Sequence, residues 1–244
     1  MWVCQGSNLG PRSYQERVLP LNYTPKRLKV KGNYTRNTLY AQFIFSEKYL
    51  PKWEVCCILE PTYMTDTKRL QQVNTAIKRK FKDKKLVFGY GAVGARIVFV
   101  GEAPGSEEER EGKPMAGSSA KLLNQLLRSV GIDKRKVYLT NVLKYSAIKT
   151  PTPKEIKSHV PFLKEEIKTV GPQIVVTLGS MALNGVGLRQ PVENIHGRVI
   201  NFGHYELLPT FHPESALKNP QIKILLEADF LKLKELLKAK PVVV

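Results

Sequence analysis

Cysteine is scarce in this chain: Cys4, Cys56 and Cys57 are the only three among 244 residues. An odd count that includes two adjacent residues supplies neither a disulfide framework nor a C-x-x-C metal site, because neighbours in sequence rarely bridge each other. Structural disulfides and a cysteine-built metal centre are not expected. Long apolar runs are missing too. Nothing approaches the roughly 20 apolar residues that span a bilayer, and the opening MWVCQGSNLG has no basic-then-apolar secretory pattern. The reading is a soluble intracellular protein. Acidic residues are few, 21 against 39 Lys and Arg, which leaves a formal net charge of +18. Such an excess favours polyanionic partners, nucleic acid or an anionic membrane surface, without naming a reaction.

What is present is enough apolar sequence, 42% of 244 residues, for one buried core plus an extension. From about Ala95 strand-like and helix-like patterns alternate with short turns, as in an α/β domain with a parallel sheet. ARIVFVGE (Ala95–Glu102), KVYLTN (Lys136–Asn141), QIVVTLG (Gln173–Gly179) and ELLPTF (Glu206–Phe211) are strand-length apolar runs, and runs apolar on both faces suit buried parallel strands. Thr152, Pro153 and Glu155 fill the N-cap, N1 and N3 positions of a capping box. Ile156, Val160, Leu163, Ile167 and Val170 then mark one helical face, which Gly171-Pro172 ends. Leu122, Leu123, Leu126 and Leu127 ahead of Gly131 predict a helix after the first strand, and Ile222–Leu237 an amphipathic helix near the C-terminus. The predicted order is β-α-β-α-β-(α)-β-α.

Residues 1–66 behave differently, and Pro11, Pro20, Pro25, Pro51 and Pro61 break any apolar period there. They are read as an N-terminal extension without assigned structure, ahead of a domain over residues 67–244. GSNLGPRSYQERVLPLNYTP resembles the translated opposite strand of a transfer-RNA gene. A start read too far upstream and a disordered or DNA-touching arm both fit it.

Three polar residues directly follow apolar strands: Glu102, Asn141 and His212. Each alone is more simply a cap or loop residue. Together they belong on one rim, because ligands of open parallel sheets bind outside the carboxyl ends of the strands. The loop GEAPGSEEEREGKPMAGSSAKLL is glycine-rich and enters a helix, which lets backbone N–H groups approach a phosphate or base. It has no Lys-Ser/Thr ending of a Walker loop, and the proline of GEAPG does not fit a dinucleotide fingerprint. Glu107, Glu108, Glu109 and Glu111 form an acidic run expected to be solvated, with Glu108 the one expected to enter the site. KRKFKDKK (Lys78–Lys85) is the densest basic run, a solvated loop or a track for a phosphate backbone.

From about Asn74 to Leu237 the chain resembles the uracil-DNA glycosylase superfamily, most closely the family 4 enzymes that hold an iron–sulfur cluster. The residues that carry the resemblance are VFGYG (Val87–Gly91), ARIVFVGEAPG (Ala95–Gly105), GKPMAGSSAKLL (Gly112–Leu123), VYLTNVLK (Val137–Lys144), PTPKEI (Pro151–Ile156), IVVTLG (Ile174–Gly179) and TFHPESALK (Thr210–Lys218). The resemblance implies a three-layer α/β/α sandwich around a four-stranded parallel sheet. It implies base hydrolysis in DNA with no metal or redox cofactor in the reaction. Glu102 would position or activate water, Asn141 would bond the Watson–Crick edge of the base, and His212 would stabilise charge on the departing base. Ala103, Pro104, Gly105, Glu108 and Met115 would line the base pocket. Ser215, Leu217 and Lys218 would meet DNA, with Leu217 a wedge for the space the flipped base leaves, and Lys78, Arg79 and Lys80 would add phosphate contacts. The implied protein is a monomer in the prokaryotic cytoplasm, associated with the nucleoid, with DNA as its partner and no membrane role.

Two departures from the family pattern stand out. Met115 replaces a phenylalanine that stacks on the flipped base, and the exchange gives up part of the roughly 1–3 kcal/mol of aromatic stacking. Weaker or broader base recognition is expected. The four cluster cysteines fall at Asn74, Ile77, Tyr145 and His159, none of which is a thiolate, so no cluster is expected. His159 is read as a helix-surface histidine. Two other functions stand beside the leading one: a DNA-binding relative without chemistry, which would form no abasic sites, and an enzyme on free nucleosides, whose binding would depend little on salt.

Overall fold

Strands that are apolar on both faces need cover on both faces, and that requirement builds three layers. A computed structural model describes residues 52–146 and 150–239, with side chains from residue 66 onward. Residues 1–51 of the expected N-terminal extension, with Pro11, Pro20, Pro25 and Pro51, lie outside the described residues. In chain order the elements are α1 (Lys52–Lys80), β1 (Tyr90–Gly91), β2 (Ile97–Gly101), α2 (Ser106–Glu111), α3 (Gly117–Ser129) and β3 (Val137–Asn141). Then follow α4 (Pro153–Val170), β4 (Ile174–Leu178), α5 (Ser180–Val186), α6 (Val192–Ile195), β5 (Ile200–Asn201), β6 (Glu206–Thr210), α7 (Pro213–Lys218) and α8 (Pro220–Ala239).

The sheet runs β1-β3-β2-β4-β6-β5. Its inner strands β3, β2, β4 and β6 are parallel and are the expected ones. The sheet nevertheless has six strands rather than four, because β1 and β5 add antiparallel edges of two residues each. Two residues carry no readable period, so these edges exist only through their pairing with β3 and β6. Every residue of β2, β3 and β4 is buried. Phe99, Leu139 and Val176 face Leu123 and Leu126 of α3 and Leu226 and Phe230 of α8. On the opposite face Val98, Val100, Tyr138 and Val175 meet Leu163 and Ile167 of α4 and Leu183 of α5. Full burial of each such side chain contributes roughly 1.5–3 kcal/mol.

The capping box forms as expected: the Thr152 hydroxyl accepts from Glu155 N at 3.2 Å, and Glu155 Oε2 accepts from Thr152 N at 3.0 Å. Gly171 ends α4 in the left-handed conformation at φ 65°, which glycine adopts without a Cβ clash. Two expectations change. The basic run KRKFKDKK is not a loop throughout, because Lys78, Arg79 and Lys80 are the last turn of α1. That helix begins at Lys52 and continues across residue 66, through the stretch left unassigned from sequence. His159 is not a surface histidine either. It is 1% exposed, because it lies three residues after Ile156 and four before Leu163, on the face of α4 that turns inward.

Removing the cap through Thr152→Ala is expected to lower the unfolding free energy by about 1 kcal/mol, read as a lower urea midpoint at unchanged m. An unchanged midpoint would mean that packing alone holds the start of α4.

Candidate active site

In the order β3-β2-β4-β6 the chain leaves β2 for one neighbour and returns past it to the other, which opens a crevice at the carboxyl ends. Glu102 directly follows β2, Asn141 ends β3, Gly179 follows β4 and His212 stands two residues beyond β6. The structure brings the three predicted residues to this rim. A Cβ on Gly179, whose φ is 92°, would collide with Glu102 Oε1 and touch His212 Cβ. Glycine is what allows carboxylate and imidazole to approach over that turn. A Cβ on Gly101 would likewise collide with Asn141 Oδ1 and Met115 Cε, so amide and thioether converge above the end of β2.

Each polar group has a defined state. Glu102 accepts a hydrogen bond from Met181 N at 3.2 Å, while burial pushes its carboxyl above the usual range and the neighbouring Glu214 adds to the rise. His212 caps α7: its Nδ1 accepts from Glu214 N at 3.2 Å, which leaves the ring proton on Nε2. Burial lowers its pKa, so the ring is a neutral donor. Asn141 is 3% exposed and its Nδ2 has no hydrogen-bond partner. A buried amide donor left unmade is costly, and here it lies beside Met115 above Gly101. An acceptor carboxylate, a neutral imidazole donor and an unused amide on one rim suit a ligand with carbonyl oxygens.

The loop that follows Glu102 is braced from within. Glu108 accepts from Gly105 N at 2.6 Å, from Met115 N, and from Ala116 N at 3.3 Å. Both of its oxygens are thus engaged by the loop's own backbone. That brace holds Met115, which is buried at φ 55°, a conformation unfavourable for a bulky side chain. Pro104 is buried, Ala103 half-buried and Gly105 exposed. On α7, Ser215 is half-buried and Leu217 is 50% exposed, while Lys218 donates to Glu214 Oε1 at 2.6 Å. Lys78, Arg79 and Lys80 are exposed at the end of α1, which packs against α4, and Lys80 donates to Ser158 O at 3.0 Å.

The sequence profile of the uracil DNA glycosylase superfamily matches residues 88–238, the span that holds the sheet and all three rim residues. The chain belongs to the uracil-DNA glycosylase superfamily. It is 37% identical over 175 residues to a type-4 uracil-DNA glycosylase of Saccharolobus solfataricus, covering 67% of this chain and 81% of that protein. A type-4 uracil-DNA glycosylase of Thermotoga maritima is 37% identical over 150 residues, 59% of this chain and 78% of that one. A DNA polymerase of Bacillus phage SP01 is 32% identical over 155 residues, 62% of this chain but 17% of the polymerase.

An iron–sulfur cluster of the family 4 kind does not fit the residues at the four positions that the resemblance assigns to it. Ile77 is fully buried, one turn before Phe81, and Phe81 stacks on His159 with ring centroids 4.1 Å apart and planes at 5°. Tyr145 meets both rings edge-on, at 5.7 and 5.2 Å. The oxygen of Asn74 is buried without a partner. Among the described residues no group of three or more His, Cys, Asp or Glu could hold a metal ion. None of the described helices is long and apolar enough to cross a membrane.

Two buried networks behind the rim escaped sequence reasoning. Lys144 and Glu166, each 1% exposed, pair at 2.6 Å, and Tyr138 donates to Glu166 at 2.9 Å. Asp229 of α8 accepts from Thr210 Oγ1 at 2.6 Å and meets His196 Nδ1 at 3.1 Å. The available signal was a carboxylate on an apolar helical face, since Glu166 lies between Leu163, Ile167 and Val170 on the face of α4 that turns inward.

Two stability tests follow from the shifted groups. The raised pKa of Glu102 makes its contribution to stability fully present below 4.5 and lost as pH rises through the folded-state value. Glu102→Gln is expected to raise the melting temperature at pH 7 and to converge on the parent below pH 4.5; equal melting at both would mean an unstrained carboxylate. For His159 burial lowers the pKa, so its contribution is fully present above 6.5 and is lost as pH falls below that through the lower folded-state value. His159→Phe keeps the stack and is expected to flatten the acid loss of stability, whereas an unaltered slope would place that loss elsewhere.

Proposed function

We propose that this chain hydrolyses the N-glycosidic bond of uracil in DNA and leaves an abasic site. The observation that carries the reading is the meeting of Glu102, Asn141 and His212 at one rim, in a member of a family whose similar relatives bear the name uracil-DNA glycosylase. Bond cleavage leaves a cation-like sugar and an anionic pyrimidine, so a carboxylate near the sugar and donors near the base oxygens both favour the transition state. Glu102 holds the attacking water and faces the sugar as an acceptor. His212 offers Nε2–H to a base oxygen without itself being charged, and the bond strengthens as that oxygen gains charge. Asn141 offers one donor and one acceptor, the complement of a pyrimidine edge with adjacent C=O and N–H, while a cytosine edge presents the reverse.

Met115 contacts the face of the base, and its softness widens the range of bases tolerated. Glu108 acts through the loop it braces, holding Ala103, Pro104 and Gly105 against the flipped base. Ser215 and Lys218 meet phosphate, and Leu217 fills the gap in the stack. The basic end of α1 adds long-range attraction, in keeping with the charge of +18. The enzyme works as a monomer in the cytoplasm. It works without an iron–sulfur cluster, because the Phe81–His159–Tyr145 packing takes the place of one.

The test is a labelled oligonucleotide with one uracil and a matched thymine control. The parent is expected to create alkali-labile sites only at uracil, and Glu102→Ala, Asn141→Ala and His212→Ala to lose roughly 10²–10³-fold in rate each. DNA binding without base release would make the chain a non-catalytic relative.

A further inference from the structure

Behind Asn141 lies a buried charge for which the chemistry has no direct use. Lys144 is 1% exposed, and its three donors are all engaged: one on Thr140 Oγ1, one on the main-chain oxygen of Asn141 at 2.9 Å, one on Glu166 Oε2 at 2.6 Å. Glu166 in turn accepts from Thr140 Oγ1 at 3.1 and 3.0 Å and from Tyr138 at 2.9 Å. Tyr138 and Thr140 point to the α4 side of β3, while Asn141 points to the opposite side, over Gly101. The network therefore grips the end of β3 from the face away from the base pocket.

A buried ion pair is seldom more stabilising than apolar residues of the same volume, so stability alone is a weak reason for one here. Its position is more informative. The parallel ladder pairs Gly101 with Asn141, and the chain then turns, with Val142 N donating to Gly101 O at 3.0 Å and Leu143 N to Glu102 O at 3.0 Å. At that turn the carbonyl of Asn141 is taken by Lys144, which fixes the peptide plane next to the amide-bearing Cα. The amide nitrogen is itself unpartnered, so it has no bond of its own to hold it.

We propose that Lys144, held by Glu166, is a positioning residue that sets the direction of the Asn141 amide and with it the recognition of the base edge. The inference rests on the glycosylase reading for the identity of the base.

The experiment compares binding of two duplexes, one bearing an uncleavable C-nucleoside analogue of deoxyuridine and one an abasic analogue, by the full chain and its variants. Lys144→Met is expected to weaken binding of the base-bearing duplex by about tenfold, one lost positioning hydrogen bond, while leaving the abasic duplex unaffected. Asn141→Ala is expected to do the same, and the double variant Lys144→Met/Asn141→Ala to show no further loss. Because Lys144→Met strands the Glu166 carboxylate, Lys144→Met/Glu166→Leu is measured beside it as the folded control, with the same loss of preference expected. Equal weakening of both duplexes, or losses that add in full, would overturn the proposal by making the network merely structural. A parent that releases no uracil but prefers the base-bearing duplex would overturn the glycosylase reading alone. Loss of that preference in Lys144→Met would uphold the positioning role even then.

Discussion

Burial of the inner strands on both faces is the constraint from which the rest follows. With β2, β3 and β4 buried from end to end, a polar side chain on the sheet can meet a ligand only where a strand stops. The carboxyl ends of β2, β3 and β6 therefore gather the acid, the amide and the imidazole, and the return of the chain past β2 leaves the crevice between them. The same constraint selects glycine at two close approaches on the rim. At Gly101 and Gly179 any side chain would occupy space that Asn141, Met115 and Glu102 already fill.

The rim is held from beneath by charge and from the side by backbone. Lys144–Glu166 ties the end of β3 to α4, and Asp229 ties the end of β6 to α8 and His196. Glu108 does comparable work for the loop after β2 by collecting three backbone N–H groups. In each case an ionisable group inside the protein is matched by several partners, the condition under which burying it is tolerable. In the proposed reaction, donors and acceptors set in place beforehand need no rearrangement when charge develops on the base, and a rigid pocket would in this way favour the transition state over the ground state.

The end of α1 shows the same economy with apolar groups. The four positions that the resemblance assigns to cluster cysteines are Asn74, Ile77, Tyr145 and His159, and the last two pack with Phe81 in one aromatic group. Lys80 lies over the rings of Phe81 and Phe162, and Lys84 over Tyr145. Cations over ring faces join basic residues to a packed core without a counter-ion, which suits so basic a surface.

The inner strands, the capping box of α4 and the three rim residues were legible in the sequence, because each depends on a local pattern: an apolar run, a cap spacing, a polar residue just past a strand. The partners were not legible. That His159 is buried against Phe81, that Glu108 serves its own loop, that two-residue strands close the sheet and that Lys144 meets Glu166 all depend on which segments the fold brings together. Sequence determined where polar groups leave the sheet, since periodicity is a property of neighbours along the chain. Tertiary structure alone decided what each of them touches, since a hydrogen bond between residues 22 apart, as from Lys144 to Glu166, has no signature in either segment by itself.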